Sequence, residues 1–334
     1  MVGFSKYLLT AAAVLTVAHA HPQGGPQSRS PNPAWLVKRE LYDLNDITDT
    51  GRKDKLTQGL KDAVTIAAKA LEKMNDDTHK PKLEYWFGDQ HSNDEARTKV
   101  QGVLKNFVGD NTDGTGAPTV GKVTVYNGDY WKPTAKEIPG VGDGTTGFCS
   151  LEKDGKTGAA YFKRDDNKKP AMHYCDKVFD RTDLATLTAD GCSKLGEHIS
   201  TAVWTKNFIG ANVLHEFMHY PRVGKDSVGS QITDYAYDAF QCHALAVDEK
   251  EERRALTLTN ADTYVWFVLD IAFAEICGKS FSGPRDERDD DATNQDWPDS
   301  DPETDDPTNG ACDCNESGCT PDSAACCANN TCTV

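Results

Sequence analysis

The chain has 334 residues, a formal net charge of −16 and eleven cysteines. This length is enough for one large domain or two small domains with a sizeable core. The 52 acidic residues against 36 basic ones argue against nucleic-acid binding and against docking on anionic lipid. Eleven cysteines and 9% aromatic residues indicate a folded protein with disulfides rather than a disordered acidic chain.

Residues 1–20 have the pattern of a secretory signal peptide. Lys6 supplies the positive charge, and Ala18-His19-Ala20 fits the small-x-small cleavage pattern. The apolar run between them, residues 7–17, is too short to span a bilayer. The sequence therefore predicts a secreted, extracellular protein with no membrane association.

Residues 21–39 are rich in Pro, Gly, Gln and Ser and end in Lys38-Arg39. This composition and the dibasic end predict a pro-segment that is removed by processing. Two other interpretations stay open: a disordered N-terminal arm, and a copper-binding N-terminal His21 exposed by cleavage after Ala20.

The hydrophobic pattern of residues 40–283 predicts one domain that combines helices and strands. Helical spacing of apolar residues predicts helices over 60–74 and 100–108, and alternation predicts strands over 120–126 and 159–162. A further strand that leads into a loop is predicted over 173–179. From about residue 183 the pattern is mainly helical, with helices over 207–220, 235–247 and 261–277. Early helices and strands followed by a largely helical C-terminal half predict an α+β domain.

The helix predicted over 207–220 contains the pattern H-E-x-x-H, formed by His215, Glu216 and His219. Residues four apart lie on one face of a helix, so both imidazoles can reach one zinc ion. Glu216 is placed next to the first histidine, where a carboxylate can take a proton from a metal-activated water. A histidine pair that serves only the core is the alternative interpretation.

Catalytic zinc takes three protein ligands and keeps a fourth position open for water. A third histidine six residues after His219 is excluded, because that position is Lys225. The remaining candidates downstream are carboxylates and one further histidine. Asp234 is the first candidate, and the alternatives are Glu249, Glu251, Glu252 and His243.

Composition changes abruptly after Gly283. Residues 284–311 are acidic and proline-containing, which predicts a disordered linker, with calcium binding by the Asp cluster as the alternative. Residues 312–334 contain six cysteines and two glycosylation sequons, which predict a small disulfide-rich glycosylated module. A metal–thiolate cluster is the alternative for this tail, which is also a candidate for cell-wall or glycan contact.

Five cysteines remain in the main domain, so at least one has no partner there: Cys149, Cys175, Cys192, Cys242 and Cys277. Cys242 and Cys277 fall near the ends of two predicted helices. Their placement predicts a disulfide that links the helix after the zinc site to the helix over 261–277.

The motif region resembles the aspzincins, a family of deuterolysin-like fungal metalloendopeptidases that includes lysine-specific enzymes. Their H-E-x-x-H is followed by G-T-x-D-x-x-Y-G, and Asn260-Ala261-Asp262-Thr263-Tyr264 is similar to their N-A-D-x-Y segment. Tyr174-Cys175 is similar to the strand and cysteine that precede the family's zinc helix. Gln231, Ile232 and Asp238 depart from the family's Gly, Thr and Gly. The resemblance covers roughly residues 145–280.

The resemblance implies a zincin-like fold, with His215, His219 and Asp234 as ligands of one Zn²⁺ and Glu216 as general base. It also implies that Tyr237 stabilises the transition state, the alternative being a packed helix residue. The predicted function is therefore a secreted zinc endopeptidase that acts on proteins or peptides. The alternative is a non-catalytic secreted zinc-binding protein, and a carbohydrate-targeted module built on the tail is a third class.

Overall fold

The computed structural model describes residues 42–109, 123–153, 156–165 and 167–285. The predicted signal peptide, the pro-segment and the Cys-rich tail lie outside these residues, as does nearly all of the acidic linker. Within them, about half the chain is helical and a small sheet accompanies the helices. This mixture is compatible with the predicted α+β class.

The described part of the chain contains eleven α-helices and six short strands, besides short 3₁₀ turns. The strands are β1 (Tyr42–Asp43), β2 (Val123–Tyr126), β3 (Glu152–Lys153), β4 (Lys156–Thr157), β5 (Ala160–Phe162) and β6 (Ala171–Tyr174). The helices are α1 (Thr50–Lys73), α2 (Lys80–Phe87), α3 (Asp94–Val108), α4 (Leu184–Leu187), α5 (Ala189–Cys192), α6 (Thr201–Trp204), α7 (Ile209–Met218), α8 (Lys225–Val228), α9 (Ala239–Ala246), α10 (Glu251–Arg254) and α11 (Ala261–Cys277).

The main sheet has the strand order β1-β2-β6-β5. β1 and β2 are parallel, β2 and β6 are parallel, and β5 runs antiparallel to β6 at one edge. All four residues of β6 are buried, which is typical of a strand covered on both faces. β3 and β4 form a separate antiparallel hairpin.

Three long helices form the centre of the core, because α1 packs against both α7 and α11, and α7 packs against α11. α1 starts ten residues before the predicted helix, since the Asp49 side chain accepts a hydrogen bond from Arg52 N at 2.8 Å and caps the helix. α7 and α11 are buried on nearly every side. Among the described residues, no helix combines the length and apolar character that crossing a bilayer requires.

The predicted segments over 60–74, 100–108, 159–162, 207–220 and 261–277 are confirmed as α1, α3, β5, α7 and α11. Two boundaries are wrong. The strand predicted over 173–179 ends at Tyr174, and a single 3₁₀ turn, Asp176–Val178, follows it. The helix predicted over 235–247 begins only at Ala239, because Asp238 caps it through a hydrogen bond from Gln241 N at 2.7 Å.

The predicted Cys242–Cys277 disulfide is wrong. Cys277 is bonded to Cys192, and Cys149 is bonded to Cys175. Cys242 is a buried thiol with no disulfide partner among the described cysteines. The thiol lies 3.4 Å from Asn260 Nδ2, at the N-terminal end of α11, whereas Cys277 ends that helix about 25 Å away at 1.5 Å per residue.

Candidate metal centre

Two histidines enter the site from the last turn and a half of α7. The helix carries His215 in its last turn, and His219 follows Met218 as the C-terminal capping residue. Four-residue spacing turns both imidazoles to the same side, as the sequence predicted. The two Nε2 atoms lie 3.2 Å apart.

Asp234 comes from the loop of residues 231–238, between α8 and α9. Its Oδ2 lies 3.2 Å from His219 Nε2, and its Oδ1 lies 3.4 Å from His215 Nε2. The three side chains form a group whose ligand atoms could hold one metal ion. The structure thus brings together the three residues that the sequence singled out as a ligand set.

The dimensions of this group match those of a tetrahedral ion. Ligand atoms at about 2.0–2.1 Å from zinc in a tetrahedral arrangement lie roughly 3.3–3.4 Å from one another. The two Nε2 atoms are 3.2 Å apart, and each lies 3.2–3.4 Å from a different oxygen of the Asp234 carboxylate. If each of the three residues supplies one ligand atom, one corner of a tetrahedron is left for a further ligand.

Hydrogen bonds at the far nitrogens keep both Nε2 atoms available. The Nδ1–H of His215 donates to Asp262 Oδ1 at 2.6 Å, and the Nδ1–H of His219 donates to the carbonyl oxygen of Ile232 at 3.0 Å. Because both partners are acceptors, each neutral ring carries its proton on Nδ1 and its lone pair on Nε2. This pattern is the usual support of metal-binding histidines.

Two buried oxygens without a hydrogen-bond partner among the described residues belong to this group of side chains. Glu216 is only 4% exposed, and its Oε2 has no hydrogen-bond partner among the described residues. Asp234 Oδ1 is also buried without a hydrogen-bond partner there. A buried polar atom left unpaired is costly, so these oxygens fit a site that binds a further polar or cationic group.

The electrostatics of the group favour positive charge between the three side chains. Burial disfavours the imidazolium of His215, but Asp234 and Asp262 outweigh it and raise the pKa of His215 to about 10. Burial likewise opposes ionisation of Asp234, but His219 and His215 outweigh it and lower the pKa of Asp234 to about 2. Burial raises the pKa of Glu216 to about 7, against the opposing effect of the two histidines.

Tyr237 reaches the site from the same loop as Asp234. Its hydroxyl hydrogen-bonds to Asp234 and helps to lower the pKa of that carboxyl, and its ring stacks on His215 with centroids 6.1 Å apart. The ring is half-buried and precedes α9, so Tyr237 is not the packed helix residue of the alternative interpretation.

The other candidates for a third ligand lie elsewhere. His243 stacks on Tyr85 with centroids 3.9 Å apart, and its Nδ1–H donates to Tyr85 O at 3.0 Å. The three glutamates are exposed around the start of α10: Glu249, Glu251 and Glu252. None of these four belongs to the group that the described residues form around His215.

The loop reaches the site although it lacks the Gly-Thr pair of the aspzincin motif. Ile232 is fully buried, and Gly224 gives it room: a Cβ on Gly224 would lie 2.6 Å from Ile232 Cδ1 and 2.6 Å from Met218 O. Gln231 donates to His219 O at 2.6 Å and so ties the loop to the end of α7. Asp238, in place of the family's final Gly, starts α9.

Two backbone hydrogen bonds join this loop to the chain that enters α11. Thr233 N donates to Thr259 O at 2.8 Å, and Ala261 N donates to Thr233 O at 2.9 Å. The same short segment supplies Asp262 to His215. Sequence reasoning did not assign Asp262 a contact with His215; the available signal was its place in the N-A-D-x-Y segment.

A second group of ligand-type atoms is already used by a disulfide. Cys149, His173 and Cys175 lie within 4.8 Å of one another, but the two cysteines are bonded together. The Nδ1–H of His173 donates to Tyr126 O at 2.8 Å.

No protein-family model matches this chain, and no curated protein matches it. What the metal centre can do is therefore inferred from its own residues and their geometry.

Proposed function

We propose that the protein is a secreted zinc endopeptidase, with His215, His219 and Asp234 as the ligands of one Zn²⁺. The observation that carries this proposal is the convergence of two imidazole nitrogens and one carboxylate, with the buried Glu216 next to the first of the three residues in the chain. Two imidazoles and one carboxylate with a corner left over are typical of catalytic rather than structural zinc. The two disulfides fit an oxidising, extracellular compartment.

Each residue has a separate role in this proposal. A bound zinc would supply a Lewis acid that polarises a peptide carbonyl and makes a water more acidic. Glu216 accepts the proton of the attacking water and passes it to the leaving amine. Tyr237, whose hydroxyl already hydrogen-bonds to Asp234, donates to the oxygen that gains negative charge. Asp262 and the Ile232 carbonyl hold the histidine rings in place.

Glu216 also separates this function from non-catalytic zinc binding. A scavenger needs three ligands but no base, and burying a carboxylate oxygen without a partner would only destabilise it. A peptidase needs that oxygen free to take a proton. The unpartnered Oε2 of Glu216 therefore favours catalysis.

The test is peptide cleavage by the purified chain, with chelator and after zinc is restored. We expect activity to be lost on chelation and recovered with zinc. Glu216→Gln should keep zinc and lose cleavage, whereas the control Glu249→Gln, at an exposed position, should retain both. Full zinc content without cleavage in the wild-type chain would instead support the scavenger, and cleavage by Glu216→Gln at the wild-type rate would contradict the role of Glu216.

A further inference from the structure

Asn260 precedes α11 at the capping position but does not cap the helix. An Asn at this position normally accepts a hydrogen bond from a backbone N–H in the first turn of its helix. The Asn260 side chain makes no such bond, although it is completely buried. The usual reason for an Asn at a helix start therefore does not explain this residue.

The amide is used by the Asp234 loop instead. Asn260 Oδ1 accepts from Tyr235 N at 2.8 Å and from Ala236 N at 3.0 Å. Asn260 Nδ2 donates to Ala236 O at 2.9 Å. One side chain thus satisfies three backbone groups of the two residues that follow Asp234.

The rest of the amide is held by α9 and α11. Nδ2 also faces Thr263 Oγ1 at 3.0 Å and Cys242 Sγ at 3.4 Å, so its two hydrogens meet three acceptors. The Cys242 thiol itself donates to Ala236 O at 3.4 Å. These contacts fix the orientation of the amide, because only its oxygen can accept from two N–H groups.

Asp234 is consequently fixed on both sides. Before it, the backbone of Thr233 is bonded to Thr259 and Ala261. After it, the backbone of residues 235 and 236 is bonded to Asn260. We propose that Asn260 is a positioning residue for the metal centre, which acts through the loop backbone to hold the Asp234 carboxylate against both imidazoles. This inference rests on the metal centre of the proposed function.

The test uses Co²⁺ as the probe, because its visible spectrum reports the number and kind of ligands. Asn260→Ala in the full chain should bind Co²⁺ about 10–100-fold more weakly than the wild type, the range for residues that support a ligand. Its d–d absorption should also change, since the Asp234 carboxylate loses its fixed position. Asn260→Asp, which keeps the shape and the Oδ1 acceptor but places an oxygen against Ala236 O, should show the same spectral change.

A matched control separates positioning from simple loss of stability. Thr257 is fully buried three residues earlier, and its hydroxyl has two carbonyl acceptors within reach for its one hydrogen, Phe87 O at 2.7 Å and Arg254 O at 2.8 Å. Thr257→Val should lower thermal stability and leave the Co²⁺ affinity and spectrum unchanged. A folded Asn260→Ala or Asn260→Asp with wild-type affinity and spectrum would overturn the inference.

A double-mutant cycle tests whether Asn260 acts through Asp234. In an Asp234→Ala background, Asn260→Ala should cause almost no further loss of Co²⁺ affinity. Two independent, additive losses would overturn the inference while leaving the metal centre intact. A wild-type chain that binds no Co²⁺ would instead contradict the metal centre of the proposed function.

Discussion

The helix α7 and the loop of residues 231–238 supply the same site in different ways. α7 presents His215 and His219 through its own periodicity, and its apolar residues bury it in the core. The loop has no regular structure at Asp234 and takes its shape from hydrogen bonds to residues 259–261. The histidine pair is therefore set by local geometry, whereas the position of Asp234 depends on residues about 25 positions away.

Removal of a proposed metal ligand should have the largest effect on zinc affinity. The loss should be equally severe for a ligand from α7 and for the one from the loop of residues 231–238. Asp234→Ala and His219→Ala each leave two protein ligands, so we expect zinc affinity to fall more than about 100-fold, beyond the effect of losing a supporting residue. Competition against a chromophoric chelator measures this. Glu249→Ala and His243→Ala are the controls and should bind as the wild type does. Full zinc retention by Asp234→Ala would return the third-ligand role to these alternatives.

Loss of the hydrogen-bond partner of His215 should have an intermediate effect on zinc affinity. It should act only on the ligand that α7 supplies. Asp262→Ala removes the acceptor 2.6 Å from His215 Nδ1, so the ring is no longer held with its lone pair on Nε2. We expect zinc affinity to fall about 10–100-fold in the same competition titration. Asp262→Asn keeps an acceptor and should lose less. Equal losses in the two variants would show that charge, rather than ring orientation, is the contribution of Asp262.

Crowding beneath the loop should have the smallest effect on affinity. Gly224→Ala places a Cβ 2.6 Å from Ile232 Cδ1 and from Met218 O, which should cost about 1–3 kcal/mol of stability. Because the Ile232 carbonyl holds His219, zinc affinity should fall as well, by less than in Asp262→Ala. Thermal unfolding and the titration measure the two effects. Gly128→Ala is the control, since nothing lies within 4 Å of its Cβ, and equal behaviour of the two variants would contradict the packing explanation.

Sequence patterns predicted the helices correctly where the spacing of apolar residues along the chain decides the local structure. α1, α3, α7 and α11 follow apolar residues at helical spacing, and the H-E-x-x-H pattern fixed both histidines and Glu216 on one helix. The errors lie where tertiary contacts override local preference. Residues 235–237 have a helix-compatible sequence, but Asn260 and the Trp266 indole, which donates to Tyr237 O at 3.2 Å, keep them out of α9.

The disulfide pairing shows the same limit. Positions near helix ends suggested Cys242–Cys277, but sequence position does not say which ends of two packed helices meet. α9 lies beside the start of α11, so Cys242 meets Asn260, while the far end of α11 meets Cys192. The odd cysteine count of the domain was correct, since Cys242 is left without a disulfide partner among the described residues.

The sequence by itself determined that the histidine pair and its glutamate lie together at the end of one helix, because their five-residue spacing is enough to place them. It also narrowed the third ligand to five residues, of which Asp234 was the first. Only the tertiary structure shows which of them lies beside the imidazoles, because Asp234 is brought there by a loop whose hydrogen-bond partners are distant in the chain. The contacts of Asp262 and Asn260 with the site arise in the same way, since contacts between separate segments are decided by packing rather than by periodicity.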